Sequence, residues 1–144
     1  MNGNREKIFH ILLNKAKQSK SSTFWSKLVH IYCLYILGFE FESRTSVGNN
    51  FSIVHGARGS VINSSVIIGN DCILRNNTII GNNGFGGGAP ILGDNVNIGA
   101  NSCIIGNIHI GNNVIIGAGS VVVKDVPDNV VIVGNPARII KTIK

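Results

Sequence analysis

The sequence is poor in charged and aromatic residues, in proline and in cysteine. Of its 144 residues, 14% are charged, 6% are aromatic, three are proline and three are cysteine. Three cysteines without CxxC spacing argue against a disulfide framework and against a zinc site. No apolar run with a small-residue cleavage site marks a signal peptide. The apolar stretch from Leu28 to Phe41 is interrupted by polar residues and is too short to span a bilayer. We therefore predict a cytoplasmic protein without a bound metal.

Basic residues outnumber acidic ones by 13 to 7, and the excess is largest near the N-terminus. Residues 1–44 hold seven lysines or arginines against three glutamates, whereas residues 45–144 hold six against four aspartates. The basic residues of the second region are not interleaved with aromatic ones, so we predict no nucleic-acid partner. The positive balance suits an anionic cofactor, or a weak association of the N-terminal segment with an anionic membrane surface.

Aliphatic side chains recur at every sixth position across the middle of the chain. The series consists of Ile62, Ile68, Leu74, Ile80, Leu92, Ile98, Ile104, Ile110, Ile116 and Val122, with Gly86 at the one position that lacks an aliphatic residue. A strict short period indicates a solenoid, in which each repeat buries its apolar face by stacking on its neighbours. Three repeats per turn predict a triangular parallel β-helix, with glycine and asparagine at its corners. The fold class is therefore mainly β.

A helical pattern precedes the repeats. Residues 4–20 place apolar side chains on one helical face. The serines and threonine at 21–23 can cap a second helix, which we expect to run from about Phe24 to Leu37 and to end at Gly38. These are two short helices of the kind that close the end of a solenoid.

We divide the chain into an N-terminal helical cap, residues 1–45, and a β-helix domain, residues 46–144. In this interpretation the helices pack on one end of the solenoid. The alternative is a helix that lies in a membrane interface. The aromatic residues at the headgroups would then be Phe24, Trp25, Tyr32 and Tyr35.

The residues just before the aliphatic positions point outward, and counting by 18 groups them into three columns. The first predicted column consists of Ile67, Phe85, Cys103 and Val121, the second of Ile73, Ile91 and His109, and the third of Ile79, Asn97 and Ile115. An apolar column is a liability on a solvent-exposed face. We expect the first column to pack on another subunit, and a closed homotrimer would bury it.

Two segments interrupt the period. Residues 53–59 (IVHGARG) contain three extra residues and hold His55 on a glycine-flanked bend. Residues 82–90 (NNGFGGGAP) have four glycines within five positions, which predicts a loop. A histidine near neutral pKa on an irregular turn is a candidate general base. The alternative is a histidine whose ring is satisfied by the local backbone.

Two stretches of the chain, one that contains the His55 interruption and one near the C-terminus, resemble a known family. The stretch LGFEFESRTSVGNNFSIVHGARGSVINSSVIIG and the later IGAGSVVVKDVPDNVVIVGNPARIIK are similar to the serine acetyltransferase branch of the hexapeptide-repeat acyltransferases, over roughly residues 37–141. The resemblance implies a left-handed parallel β-helix and acetyl-CoA as acyl donor. It also implies trimers, or dimers of trimers, with active sites between adjacent prisms.

The same resemblance implies roles for seven residues. His55 matches the general base that removes the proton from the acceptor hydroxyl, and Glu40 matches the carboxylate that orients this base. Ala100, Ala118 and Gly119 match corners where the backbone binds CoA, and Lys124 and Arg138 are placed to meet its phosphates. For the two cations the alternative is a solvated surface charge.

The chain departs from the serine enzymes where they grip the amino acid. Val54 stands where they carry an aspartate, and Gly88-Ala89 stands before Pro90 where they carry an Arg-His pair. A zwitterion would bind poorly in a pocket without its counter-charges. We therefore predict a sugar O-acetyltransferase that acts on a surface polysaccharide or its precursor.

Several other functions remain open from the sequence. The main alternative is a serine O-acetyltransferase of shortened form. The more remote ones are a non-catalytic solenoid, a metal-dependent enzyme of the same fold, and acyl transfer through Cys103 as nucleophile.

Overall fold

The repeats fold as a three-sided parallel β-solenoid in the computed structural model, which describes residues 3–19 and 21–143. Sheet 1 consists of β1 (Ser46–Val47), β4 (Ile67–Ile68), β7 (Ile91–Leu92) and β10 (His109–Ile110). Sheet 2 consists of β2 (Ser52–Ile53), β5 (Ile73–Leu74), β8 (Asn97–Ile98), β11 (Ile115–Ile116), β13 (Val130–Gly134) and β14 (Ala137–Thr142). Sheet 3 consists of β3 (Val61–Ile62), β6 (Ile79–Gly81), β9 (Cys103–Ile105) and β12 (Val121–Val122). The chain visits the three sheets in turn, and β13 and β14 close the solenoid as an antiparallel hairpin.

The core lies inside the prism and is built from the six-residue period. All ten aliphatic residues of the series are at most 2% exposed. Cys72, in a small inward position, is fully buried. The predicted mainly-β parallel solenoid is confirmed, whereas its left-handed sense stays what the resemblance implies.

Two α-helices and a π-helical segment precede the strands. The α-helices are α1 (Gly3–Gln18) and α2 (Ser22–Ile31), and the π-helical segment (Tyr32–Leu37) ends at Gly38, whose φ is +75°. The predicted first helix extends to Lys20, which lies outside the described residues, as do Met1, Asn2 and Lys144. Among the described residues, none of the helices combines the length and apolarity that a membrane crossing requires.

The helices pack on the first turn of the solenoid through aromatic rings. Phe9 of α1 contacts Phe41 edge-to-face at 5.3 Å between ring centroids, and Phe39 lies at 6.2 Å from Phe9. All three rings are at most 1% exposed and belong to the same core as the inward aliphatic residues. This packing agrees with a terminal cap, although the division at residue 45 itself stays a prediction.

The predicted outward columns are wrong, because the turns differ in length. Asn70 bonds to Asp94, 24 residues later, whereas the next turn takes 18 residues. The six added residues lie in the segment 82–90, which leaves the prism as a loop instead of forming a further strand. Phe85 is 95% exposed there and belongs to no column. The observed columns consist of Ser46, Ile67, Ile91 and His109, of Ser52, Ile73, Asn97, Ile115 and Val131, and of Val61, Ile79, Cys103 and Val121.

Stacked glycines and asparagines form the edge between sheets 1 and 2. Asn95 has a φ of +55°, and its amide donates to the side-chain oxygen of Asn113 at 2.9 Å. Asn113 donates in the same way to Asn129 at 2.9 Å. Asparagine adopts this left-handed backbone with less strain than most residues. The ladder also satisfies the polar side chains at this corner.

We expect Gly69→Ala to destabilise the solenoid. A Cβ at this corner would collide with the backbone of Gly93 in the next turn. Overpacking of this kind costs about 1–3 kcal/mol. Gly81→Ala is the matched control, because its Cβ would lie 3.5 Å from the nearest atom, in Asn63, at ordinary contact distance. Urea unfolding followed by circular dichroism measures both variants, and equal losses in the two would contradict the argument.

Candidate active site on the His55 edge

His55 lies on a left-handed turn between β2 and β3. Its φ and ψ are +61° and +20°, and the next two residues, Gly56 and Ala57, also have positive φ. Positive φ is uncommon outside glycine and is found mostly where surrounding structure holds it in place. The His55 side chain is exposed, whereas Ala57 is fully buried. The three extra residues thus present an imidazole at the surface of a fixed turn.

Neighbouring segments hold this turn through the backbone. The carboxylate of Glu6 in α1 accepts a hydrogen bond from the Ile53 N–H at 3.0 Å. The Gly59 N–H donates to the Gly38 carbonyl at 2.8 Å on the other side of the turn. Both ends of the turn are therefore tied to the N-terminal helical part of the chain.

Glu40 lies beside the turn through its backbone, and its side chain makes no hydrogen bond to the His55 ring among the described residues. Its N–H donates to Ser60 at 2.9 Å, and its carbonyl accepts from Ile62 at 3.0 Å, so it forms a bridge beside β3. The Glu40 side chain is exposed, and no hydrogen bond within the described ranges 3–19 and 21–143 joins it to His55. Its orienting role stays a prediction.

A pocket of about 180 Å³ opens beside His55. Its wall combines the turn with the N-terminal helices. The lining residues are Arg5, Ile36, Leu37, His55, Gly56 and Arg58. Neither Arg5 nor Arg58 was among the predicted site residues. Arg58 lies in the interrupted segment beside His55, which is a signal in the sequence, whereas no local pattern connects α1 to this pocket.

The edge between sheets 2 and 3, which we call the His55 edge, also carries three predicted CoA-binding residues. Ala100 follows β8, and Ala118 and Gly119 follow β11 one turn later. The Gly119 N–H donates to the Ala100 carbonyl at 2.9 Å. A Cβ on Gly99 would collide with the Ala118 backbone, so glycine there lets the two corners stack closely. The structure therefore places these residues along the same edge as His55.

Gly119 leaves the outer side of this edge open. Its φ is +70°, and a Cβ built on it would meet no atom within 4 Å. Arg75 lies between the His55 turn and Ala100, and its guanidinium donates to Asn97 and to the Ile98 carbonyl. Arg75 was not predicted, although it is the one lysine or arginine between Arg58 and Lys124 in the sequence.

Lys124 and Arg138 lie together at the C-terminal end of the solenoid. Both line a small cavity of about 60 Å³, with Asp125 and Pro136 among its other residues. Lys124 follows β12, and Arg138 pairs with Val133 in the closing hairpin. The structure thus brings these two cations to each other and not to His55.

The cysteines are poorly suited to nucleophilic chemistry. Burial raises the pKa of Cys103, which disfavours the thiolate that would attack an acyl donor. Burial also raises the pKa of Cys72, and that of Cys33 to about 12. Within the described part of the chain, no group of three or more histidine, cysteine or acidic side chains is arranged to hold a metal ion.

The sequence of the chain is similar to known transferases. The family described as "Bacterial transferase hexapeptide (six repeats)" matches residues 89–124. A putative colanic acid biosynthesis acetyltransferase, WcaB, of Escherichia coli K12 is 38% identical over 143 residues, which cover 96% of this chain and 87% of the relative. The chain belongs to the hexapeptide-repeat transferase family. This confirms the family that the stretch around His55 and the C-terminal stretch suggested.

Solved structures of hexapeptide-repeat transferases share the fold. The serine acetyltransferase of Neisseria gonorrhoeae superposes with a TM-score of 0.80 at 30% identity, over 96% of this chain and 52% of that one. The enzyme of Brucella abortus S19 gives 0.83 at 27% identity, over 96% and 56%, and its complex with coenzyme A gives 0.82. The chain thus spans about half the length of these structures. The prediction of an acetyltransferase is confirmed by the class of these relatives.

Proposed function

We propose that the chain transfers the acetyl group of acetyl-CoA to a sugar hydroxyl, on a surface polysaccharide or its precursor. One observation carries the proposal: His55, the predicted base, lies on a fixed and exposed turn on the same edge as the corners Ala100, Ala118 and Gly119. The 38% identity to a putative colanic acid biosynthesis acetyltransferase supports a glycan acceptor.

The proposed reaction is a direct attack. The acceptor oxygen bonds to the thioester carbon while its proton passes to His55. Backbone N–H groups at the edge would stabilise the negative charge that develops on the carbonyl oxygen. The C–S bond then breaks, and the leaving CoA thiolate takes the proton from His55. In this scheme Glu40 would stabilise the imidazolium, after a change of side-chain conformation that brings it to the ring.

CoA would lie along the His55 edge. Stacked strands are about 4.8 Å apart, so the His55 turn and the Ala118 corner, three turns later, are roughly 14 Å apart along the prism. This separation suits the extended arm of CoA. Lys124 and Arg138, at the C-terminal end, would bind its phosphates by charge-assisted hydrogen bonds.

We propose a homotrimer as the working form. The loop 82–90 lies on the edge between sheets 3 and 1, away from His55 of the same chain, so only a neighbouring subunit could bring a loop to the base. Outward isoleucines on the three sheets, Ile67, Ile79 and Ile115, are 40–43% exposed, and a trimer would cover those on the faces turned toward its two neighbours. We place the enzyme in the cytoplasm, since its three free thiols suit a reducing compartment. A weak membrane-surface contact would involve the basic N-terminal helices.

A shortened serine acetyltransferase is the second candidate, favoured by the TM-scores of 0.80 and 0.83 to serine enzymes. One assay separates the two: release of CoA from acetyl-CoA with L-serine, compared with a panel of sugars and glycans. We expect saturable turnover with a glycan and only background release with serine. Saturable turnover of serine at millimolar concentration, with none of the glycans, would replace the first function by the second.

A further inference from the structure

The pocket beside His55 carries positive charge without a neighbouring carboxylate in its wall. Arg5 and Arg58 line it, together with the apolar Ile36 and Leu37. The ion pair found among residues 3–19 and 21–143 joins Arg44 to Glu42, so neither arginine of the pocket is paired in these ranges. Two arginines without a carboxylate partner thus stand in the wall of this pocket.

The glutamates close to the pocket in the sequence do not line its wall. Glu6 follows Arg5, but its carboxylate accepts a hydrogen bond from the Ile53 N–H and does not line the pocket. Glu40 is also outside the lining. The wall therefore offers two arginines to a carboxylate or phosphate. The Glu40 carboxylate, in the proposed mechanism, pairs with the His55 ring and would not be left for an ammonium group, which disfavours a zwitterion such as an amino acid.

The local backbone makes room for the Arg58 side chain. Gly38 ends the π-helical segment, and a Cβ on it would lie 3.3 Å from Arg58 Cγ and 3.7 Å from its Nη1. The arginine thus lies against the Gly38 backbone with its guanidinium at the pocket. At Arg5, the other arginine of the wall, the Tyr32 hydroxyl donates to the backbone carbonyl at 3.1 Å and holds the start of α1.

We propose that the acceptor carries an anionic group, which Arg5 and Arg58 bind while its hydroxyl meets His55. This inference rests on the proposed acetyl transfer and narrows its substrate class to an acidic glycan. Two sources share the chemistry: the carboxylate of a uronic acid and the phosphate of an activated sugar. Guanidinium groups bind both by paired, charge-assisted hydrogen bonds, and the apolar part of the wall suits the face of a sugar ring.

Binding of small probes tests this proposal without requiring turnover. The probes are glucuronate, glucose 1-phosphate and glucose, and the readout is the C2–H proton resonance of His55, assigned by its loss in His55→Ala. We expect at least one anion to shift the resonance with a Kd about tenfold or more below that of glucose. The anion that binds more tightly identifies the source of the charge.

Variants at the two arginines decide which groups bind the anion. We expect Arg58→Gln and Arg5→Gln each to raise the Kd of the tighter anion by about tenfold or more, while Arg58→Lys retains part of the affinity. Arg44→Gln, a change at an exposed arginine outside the pocket, should leave it unaltered. Equal Kd values for glucose and both anions, or equal effects of Arg58→Gln and Arg44→Gln, would overturn the proposal.

The two proposals fail independently. Anion binding that depends on Arg58, in a protein whose acetyl transfer survives His55→Ala, would leave the anion site standing and remove the proposed mechanism. Acetyl transfer to neutral glycans that depends on His55, with no preference for anions, would leave the proposed mechanism standing and remove the anion site. Circular dichroism shows whether Arg5→Gln and Arg58→Gln fold. If Arg58→Gln does not fold, Arg58→Lys tests the contribution of the arginine, because it keeps the charge and removes the paired hydrogen bonds.

Discussion

Replacement of His55 by alanine should lower kcat for acetyl transfer by about 10²–10⁴-fold, the usual contribution of a general base. Without an imidazole on the turn, the acceptor hydroxyl must lose its proton to water in the transition state. The fold should survive, because the ring is exposed and the turn is held by backbone hydrogen bonds at Ile53 and Gly59. The measurement is the initial rate of CoA release with a saturating glycan acceptor.

His109→Ala is the matched control for this variant. His109 is an exposed histidine on β10, in sheet 1, and lies on a different face of the prism from the His55 edge. We expect near-normal turnover and an unchanged oligomeric state. Near-normal turnover in His55→Ala as well would remove His55 from the mechanism and with it the base that the family resemblance implies.

Ala118→Trp should raise KM for acetyl-CoA by about 10- to 100-fold, with a smaller effect on kcat. Ala118 is exposed on the His55 edge, where its corner stacks on Ala100. An indole at this position would fill the space proposed for the CoA arm. Such a clash would cost roughly 1–3 kcal/mol of the binding free energy of acetyl-CoA. Steady-state kinetics with varied acetyl-CoA and fixed acceptor measure the effect.

A tryptophan at another exposed corner provides the comparison. Asn49 lies between β1 and β2, on the edge between sheets 1 and 2, and its side chain is exposed. Asn49→Trp adds the same side chain to the solenoid on an edge that carries neither His55 nor the glycine loop, so KM for acetyl-CoA should stay close to that of the unaltered protein. If Ala118→Trp leaves KM unchanged, CoA does not lie on this edge.

The local parts of the structure could be predicted because short-range patterns determine them. Four features follow from residues within a few positions of each other: the inward aliphatic positions, the helix end at Gly38, the loop at 82–90 and the turn at His55. Each reflects a constraint that one segment imposes on itself: a period, a left-handed residue, or a run of glycines.

The outward columns failed for a reason that periodicity cannot reveal. The inserted segment 82–90 adds six residues, which is the length of one repeat, so the period continues in phase beyond Gly86. A pattern of inward positions cannot distinguish a strand from a loop of equal length. Only the observed pairing of Ile67 with Ile91 shows which residues share a face.

The pocket was also beyond sequence reasoning, since it joins distant parts of the chain. Arg5 and Arg58 are separated by β1, β2 and most of the helical segment, yet they line one cavity. Likewise, Lys124 and Arg138 meet because β13 and β14 fold back as a hairpin. Such contacts depend on how the helices and the hairpin pack, which no local pattern encodes.

The glycine loop has a consequence for how this scaffold can change. Residues 82–88 leave the prism after Gly81 and are exposed, whereas Ala89 and Pro90 are buried, and the Pro90 carbonyl accepts a hydrogen bond from the Ile67 N–H at 3.2 Å. The strands on either side keep their pairing, Ile67 with Ile91 among them. Loops of other lengths and sequences can therefore be grafted between Gly81 and Ala89, so the surface at this edge can diversify while the architecture is inherited unchanged.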